Sequence, residues 1–209
     1  MYTDRGFMLQ FMSVLKHKQI DTSIEVGAFD ADFSKEMSRY IDPKRVWAFE
    51  ANPEVYNKYK HLLEHINYKN LAVHKDTSDV TLNLITVEKH KRSPWMDGAS
   101  SVLERFGDSI PTKSITVPGT SLDIFTKENG IDGRIALWID AEGANQLILE
   151  NATETLKNVY AIYIEIETIQ IWKDQWVKAD TVTFLEKQGF TLIAESNSHE
   201  LKDAILVRK

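Results

Sequence analysis

A β-branched apolar run that ends at a glycine turn and passes straight into a helix leaves a chain few folds to choose from. Residues 22–33 read Thr-Ser-Ile-Glu-Val-Gly-Ala-Phe-Asp-Ala-Asp-Phe, a strand over 22–27 followed by a helical pattern from about Phe33. Strand, tight turn and helix open a nucleotide-binding α/β domain, whose ligands lie outside the carboxyl ends of parallel strands. Charge sets this turn apart. Glu25, Asp30 and Asp32 crowd a place where phosphate binders keep glycines and bare backbone amides.

The rest of the chain repeats the unit. Residues 4–19 carry Phe7, Met8, Phe11, Met12 and Leu15 at helical spacing, an amphipathic helix over a sheet within residues 1–20. A helix over 32–40 stops at Asp42-Pro43. Residues 45–50 are a buried second strand ending in Glu50, and Asn52-Pro53 caps a helix running to about His65. Residues 67–74 read as a third strand. Residues 76–119 then break the rhythm, with an alternating strand over Val80–Val87, a long polar loop over 88–112 and a short strand over Lys113–Val117. A helix begins at Thr120 or Ser121 and ends at Asn129-Gly130. Strands follow over 134–139 and 159–167, with helices over 146–156 and 174–188. Residues 190–194 and 204–209 are two consecutive closing strands, which implies one antiparallel strand. The expected fold is a single Rossmann-like α/β domain over residues 1–209. Its sheet is seven-stranded and mostly parallel, with a terminal antiparallel strand and a β-insertion over 76–119.

The carboxyl ends of these strands are acidic. Asp30, Glu50, Asp140, Glu142, Glu165 and Glu167 all fall on that rim, as does His74. Glu50 lies 23 residues after Gly27, the usual spacing of a carboxylate that binds a ribose diol. An adenosine-type ligand follows. A pyrophosphate beside Asp30 and Asp32 would be repelled, whereas S-adenosylmethionine has no phosphate and carries an ammonium and a sulfonium. The candidate cofactor contacts are Glu25, Gly27, Ala28, Phe29 and Asp30 in the turn, Glu50, Ala51 and Asn52 at the second strand end, Ala72 at the third, and Asp140. Rival readings are an NAD-dependent oxidoreductase, disfavoured by the missing glycines, and a non-catalytic nucleotide-binding domain.

Composition agrees with a soluble, cytoplasmic protein. The chain has 209 residues, 43% of them hydrophobic, a net charge of −6 and no cysteine. The acidic balance argues against nucleic acid as partner, and no apolar run is long enough to span a membrane.

At this point the chain resembles a known family. Ile24-Glu25-Val26-Gly27-Ala28-Phe29-Asp30, Phe49-Glu50-Ala51-Asn52-Pro53, Ser121-Leu122-Asp123 and above all Trp138-Ile139-Asp140-Ala141-Glu142-Gly143-Ala144 look like the FkbM family of methyltransferases. Ala204-Ile-Leu-Val-Arg208 is also similar. The resemblance covers about residues 20–209 and implies a class I methyltransferase fold. It also implies S-adenosylmethionine-dependent transfer onto an oxygen of a sugar, glycan or other small molecule. Ser101, after Gly98-Ala99-Ser100, resembles a serine-rich family site and joins the candidate contacts. The chain departs from the pattern at Asn145, where the family usually has Glu, and at Asp30-Ala31-Asp32, where many members have a glycine.

A hydroxyl nucleophile gains from a nearby base. Asp140 and Glu142 are the first candidates, with Glu167, Glu165 and His74 behind them. The carboxylates leave room for a divalent metal such as magnesium, but no ligand spacing calls for one. His61-Leu-Leu-Glu64-His65 matches a zinc-protease pattern by chance, since its helix belongs to a nucleotide-type unit. Trp172 and Trp176, four apart, could share one face of the 174–188 helix. Trp95 and the basic run Lys89-His90-Lys91-Arg92 sit in the long loop.

Overall fold

The computed structural model describes residues 5–16, 18–86, 96, 98–107 and 110–209. Trp95 and the run Lys89–Arg92 lie outside the described residues. The chain forms the expected α/β architecture around a mostly parallel seven-stranded sheet. Its strands are β1 (Thr22–Val26), β2 (Val46–Phe49), β3 (Asn67–Lys69), β8 (Ile135–Ile139), β9 (Val159–Glu167), β10 (Phe190–Glu195) and β11 (Leu201–Arg208), in the spatial order β10-β11-β9-β8-β1-β2-β3. β11 is antiparallel to both its neighbours. It is late in the chain yet lies inside the sheet, between β9 and β10.

Both faces of the sheet are covered, so its central strands are buried throughout. On one face, α1 (Arg5–Leu15) and α2 (Asp32–Met37) bring Phe7, Phe11 and Phe33 onto Trp138 and Tyr163. Trp138 and Tyr163 are cross-strand partners, stacked with ring centroids 3.4 Å apart. On the other face, α4 (Leu122–Glu128), α5 (Asn145–Leu149), α6 (Thr153–Leu156) and α7 (Lys178–Lys187) pack Phe125, Ile148, Leu156 and Leu185 against Ile24, Leu137, Ile162 and Ile164.

The local structure departs from the sequence reading in several places. The expected third strand over 67–74 is two. β3 joins the main sheet, while β4 (Ala72–Val73) pairs in parallel with β7 (Gly119–Thr120) in a separate ladder. Asn70 makes the break: its side-chain amide donates to the carbonyls of Glu50 and Ala51. Within the insertion, β5 (Val80–Ile85) and β6 (Thr112–Val117) form an antiparallel pair. The expected helix over 146–156 is interrupted. Asn151 folds back on the Leu147 carbonyl, and Asp123 receives the amides of Glu154 and Thr155, capping α6 from another helix. That bond explains the Leu-Asp pattern at 122–123. The helix over 174–188 begins only at Lys178, so Trp172 and Trp176 share no helical face. Trp172 is buried in a bridge with Arg105, and Trp176 packs on Phe184. The helices expected over 32–40 and 53–65 end earlier, at Met37 and at Tyr59 of α3 (Pro53–Tyr59). Arg208 ties β11 to the base of the sheet, donating to the carbonyls of Val159, Gln188 and Leu156.

Three strand ends meet at Gly27. Its amide and that of Ala28 donate to the Phe49 carbonyl, and the Asp140 amide donates to Val26. A Cβ at Gly27 would lie 1.7 Å from the Asp140 carbonyl oxygen, and φ is +77°. Gly27→Ala should therefore lower stability in urea by roughly 3 kcal/mol or more. Gly130→Ala, at an equally left-handed φ of +58° in open space, should cost about 1 kcal/mol. Equal losses would show that strand-end crowding does not limit Gly27.

Candidate functional site

A cavity of about 640 Å³ opens at the carboxyl ends of β1, β2 and β8. It has the size of a small-molecule site. Of the expected contacts, Glu25, Gly27, Ala28, Phe29, Asp30, Glu50, Ala51, Ala72 and Asp140 line it. Leu71, Val73 and Leu82 supply an apolar wall, with Ser100 and Val102 from the insertion. Asn52 and Ser101 are not in the lining. Asn52 caps α3, accepting from the Glu54 amide. Ser101 is buried, with its hydroxyl donating to the Glu142 carbonyl and accepting from the Leu103 amide. Glu142 and Glu167 also stand outside the lining.

The turn after β1 holds its shape through left-handed residues. Gly27, Phe29 and Ala31 have φ of 77°, 48° and 59°. Such conformations in non-glycine residues are strained and gather at functional sites. Here the strain aims the backbone: Phe29 N donates to Glu50 Oε2 at 2.8 Å, and Tyr68 Oη donates to the Phe29 carbonyl. Asn52 N donates to the other oxygen, Glu50 Oε1, at 2.7 Å. Glu50 is thus fixed at the cavity wall by two amides. Burial still pushes its carboxyl up to about 7, against those two bonds.

The acidic rim divides into three parts. Glu25 lies under α2, where its Oε2 accepts from the Ser34 amide at 2.8 Å, and burial pushes it up to about 8. Asp30 and Asp32 both pair with Lys35, at 3.2 Å and 2.5 Å. Sequence reading missed Lys35, whose i,i+3 spacing from Asp32 was the available signal. Asp32 therefore answers Lys35 instead of capping α2, whose N-cap is Ala31.

The third part gathers Asp140, Glu142, Glu165 and Glu167. Glu142 and Gly143 are consecutive left-handed residues, and Trp172 fills the space a Cβ on Gly143 would need. The Asn145 side chain donates to the Glu165 carbonyl at 2.8 Å, anchoring the start of α5 to β9. Burial, then repulsion from Asp203 and Glu167, pushes Asp140 up to about 7; burial, then repulsion from Asp140 and Glu167, pushes Glu142 up to about 8; burial, then repulsion from Asp140, Glu142, Glu167 and Asp203, pushes Glu165 well above the usual range. Burial pushes Glu167 to about 7. Arg105, over the Trp172 ring at 5.2 Å, opposes the rise at Glu142. Asp140 Oδ1, Glu165 Oε1 and both Glu167 carboxylate oxygens are buried without a hydrogen bond of normal geometry.

Among the described residues, no group of three metal-ligating side chains is gathered closely enough to hold an ion. His61, Glu64 and His65 are exposed on and after a short 3₁₀ turn. His74 is buried and bonded to the Ser78 carbonyl. Among the described residues no helix is long and apolar enough to cross a membrane.

The strand order and the carboxyl-end cavity define the Rossmann-like fold of class I methyltransferases. Precorrin-6y C5,15-methyltransferase from Geobacter metallireducens GS-15 aligns with a TM-score of 0.52 at 15% identity, over 99% of this chain and 90% of that one. Magnesium protoporphyrin IX methyltransferase from Synechocystis PCC 6803, with bound SAM, aligns at 0.51 and 8% identity, over 98% and 81%. Sp1610 from Streptococcus pneumoniae, in complex with S-adenosyl-L-methionine, aligns at 0.51 and 13%, over 100% and 73%. No curated protein matches the chain by sequence. The methyltransferase FkbM domain model matches residues 25–192, and the chain belongs to that family.

The raised carboxyls give stability a definite pH dependence. The folded chain keeps protons that the unfolded chain releases, so folding is favoured below the ordinary carboxylate range and loses that contribution as pH rises through 7 to 8. The melting temperature should fall by several degrees between pH 5.5 and 8.5, and Glu165→Gln should flatten the fall. A flat or rising profile for the unaltered protein would refute the assignment.

Proposed function

We propose that this chain transfers a methyl group from S-adenosylmethionine to a hydroxyl of a sugar, glycan or other small molecule, with Asp140 as the base. One observation carries the reading. A single cavity holds both Glu50, fixed by two amides as an acceptor for a ribose diol, and Asp140, a carboxylate with an unbonded oxygen and a pKa near neutrality.

The residues fit this cofactor better than a dinucleotide. The Ser34 amide, which a phosphate at the start of α2 would seek, already serves Glu25. Asp30 and Asp32 stand beside it. Glu50 would hold the ribose, and Leu71, Ala72, Val73 and Leu82 the adenine side. When bound, the cofactor supplies a sulfonium-activated methyl electrophile. The protein's own work is placement of the acceptor oxygen and removal of its proton. Asp140 would take that proton as the acceptor oxygen replaces the sulfonium sulfur on the methyl carbon, with the neutral thioether as leaving group, and a base with pKa near 7 is matched to the task. Membership of the FkbM family and the fold of proteins that bind S-adenosylmethionine support the reading.

S-adenosylhomocysteine should raise the melting temperature and NAD should not. Glu50→Ala should weaken S-adenosylhomocysteine binding about tenfold or more, by calorimetry, in a protein that still folds. Asp140→Asn should keep that affinity within a few-fold while lowering kcat by about 10²- to 10⁴-fold on any acceptor found with labelled cofactor. Stabilisation by NAD alone would overturn the cofactor, and full activity of Asp140→Asn would overturn the base.

A further inference from the structure

We infer that Lys35 receives the carboxylate of the cofactor's amino-acid end and gives up Asp30 to its ammonium. The inference rests on the methyl-transfer reading of the same cavity. It assigns residues to the one part of the cofactor that Glu50 and the apolar wall leave unheld.

Position comes first. One cavity carries two unlike sets of side chains: Leu71, Val73 and Leu82 on its apolar wall, and Asp30, Asp32 and Lys35 at the turn after β1. Glu50 is tied to the second set. Its Oε2 accepts from the Phe29 amide at 2.8 Å, and Asp30 is the next residue along the chain. A cofactor with its base on the apolar wall and its ribose at Glu50 therefore directs its amino-acid end along the β1 turn, toward Asp30 and Lys35.

Charge comes second. An α-amino acid carries its ammonium and its carboxylate on one carbon, so it needs a carboxylate and a cation side by side. Lys35 Nζ lies 3.2 Å from Asp30 Oδ2 and 2.5 Å from Asp32 Oδ1. Asp30 and Lys35 are half-buried, while Asp32 is exposed. The ammonium replaces Lys35 at Asp30, the carboxylate replaces Asp30 at Lys35, and Asp32 keeps Lys35 throughout. Each charge has an opposite neighbour before and after the exchange. A pyrophosphate brings no cation for Asp30 and would only add a second anion beside it. Arg39 is the other described cation in the lining, but it is exposed and paired with Glu36 at 2.5 Å. The plain alternative is an ion pair with a structural role alone. Partly exposed pairs of that kind add little to stability, so removing this one should barely move the melting temperature.

Three compounds that share the adenosine and the thioether separate the two. S-adenosylhomocysteine has both charges, S-adenosyl-3-thiopropylamine lacks the carboxylate, and 5′-methylthioadenosine lacks both. By calorimetry the unaltered protein should bind the first about tenfold or more tightly than the second. Lys35→Met should erase that preference, leave the affinity for 5′-methylthioadenosine within about twofold and keep the ligand-free melting temperature. Lys35→Arg should restore the preference. Asp30→Asn should bring the thiopropylamine down to the affinity of 5′-methylthioadenosine. Equal affinity of the unaltered protein for the first two compounds overturns the inference. So does a Lys35→Met variant that keeps the preference, or one that weakens all three compounds alike. If 5′-methylthioadenosine binds as tightly as S-adenosylhomocysteine, the adenosine site stands and this inference falls. Failure of all three to bind the unaltered protein overturns the cofactor reading and this inference with it.

Discussion

The site depends on a backbone contact that only a glycine permits. At Gly27 the ends of β2, β1 and β8 are sewn together by amides reaching neighbouring carbonyls, and the Asp140 carbonyl occupies the volume of the missing Cβ. This closeness puts Glu50 and Asp140 into one cavity. Asp140 arrives on one side of Gly27 because its own amide is tied to Val26. Glu50 arrives on the other and is held by Phe29, whose amide is aimed by a left-handed turn beginning at the same glycine. The strain stored in Phe29 and Ala31 is held in place by Tyr68, by Glu50 and by complete burial of Ala31.

Charge on the rim is sorted by what each carboxylate can reach. Glu25 and Glu50 find backbone amides, and Asp30 and Asp32 find Lys35. Beyond Asp140, burial and repulsion hold the Glu165 proton well above the usual carboxylate range, while backbone amides, that of Gly143 among them, partly offset the burial of Glu167. An acidic rim is therefore not one uniform negative field. Its paired acids line the cavity, and Glu142, Glu165 and Glu167 lie outside it.

Features set by neighbouring residues were legible in the sequence. The run from Thr22 to Phe33 carries its strand, turn and helix in adjacent positions, and the distance from Gly27 to Glu50 follows from one βα unit. Features set by distant partners were not. The break after β3 depends on Asn70 reaching the end of β2, and β4 on Gly119 and Thr120 across the whole insertion. The break between α5 and α6 depends on Asp123, some thirty residues earlier. Lys35 neutralises acids that the sequence shows as bare, because pairing is a matter of side-chain reach. Asn145 carries no sign of its task in the sequence, and only its bond to the Glu165 carbonyl shows that it anchors a helix.

The place of β11 bears on the order in which the protein is made. Translation delivers β9 long before β11, yet β11 is the strand that covers the free edge of β9 and separates it from β10. A nascent chain that has emerged only as far as β10 holds β9 with one edge unpaired, and Glu165 and Glu167 lie along that edge. An exposed strand edge invites pairing with another chain, and inward-facing charge is one of the devices that discourages it. Glu165 and Glu167 are charges of that kind, set along the edge of β9 that β11 comes to cover.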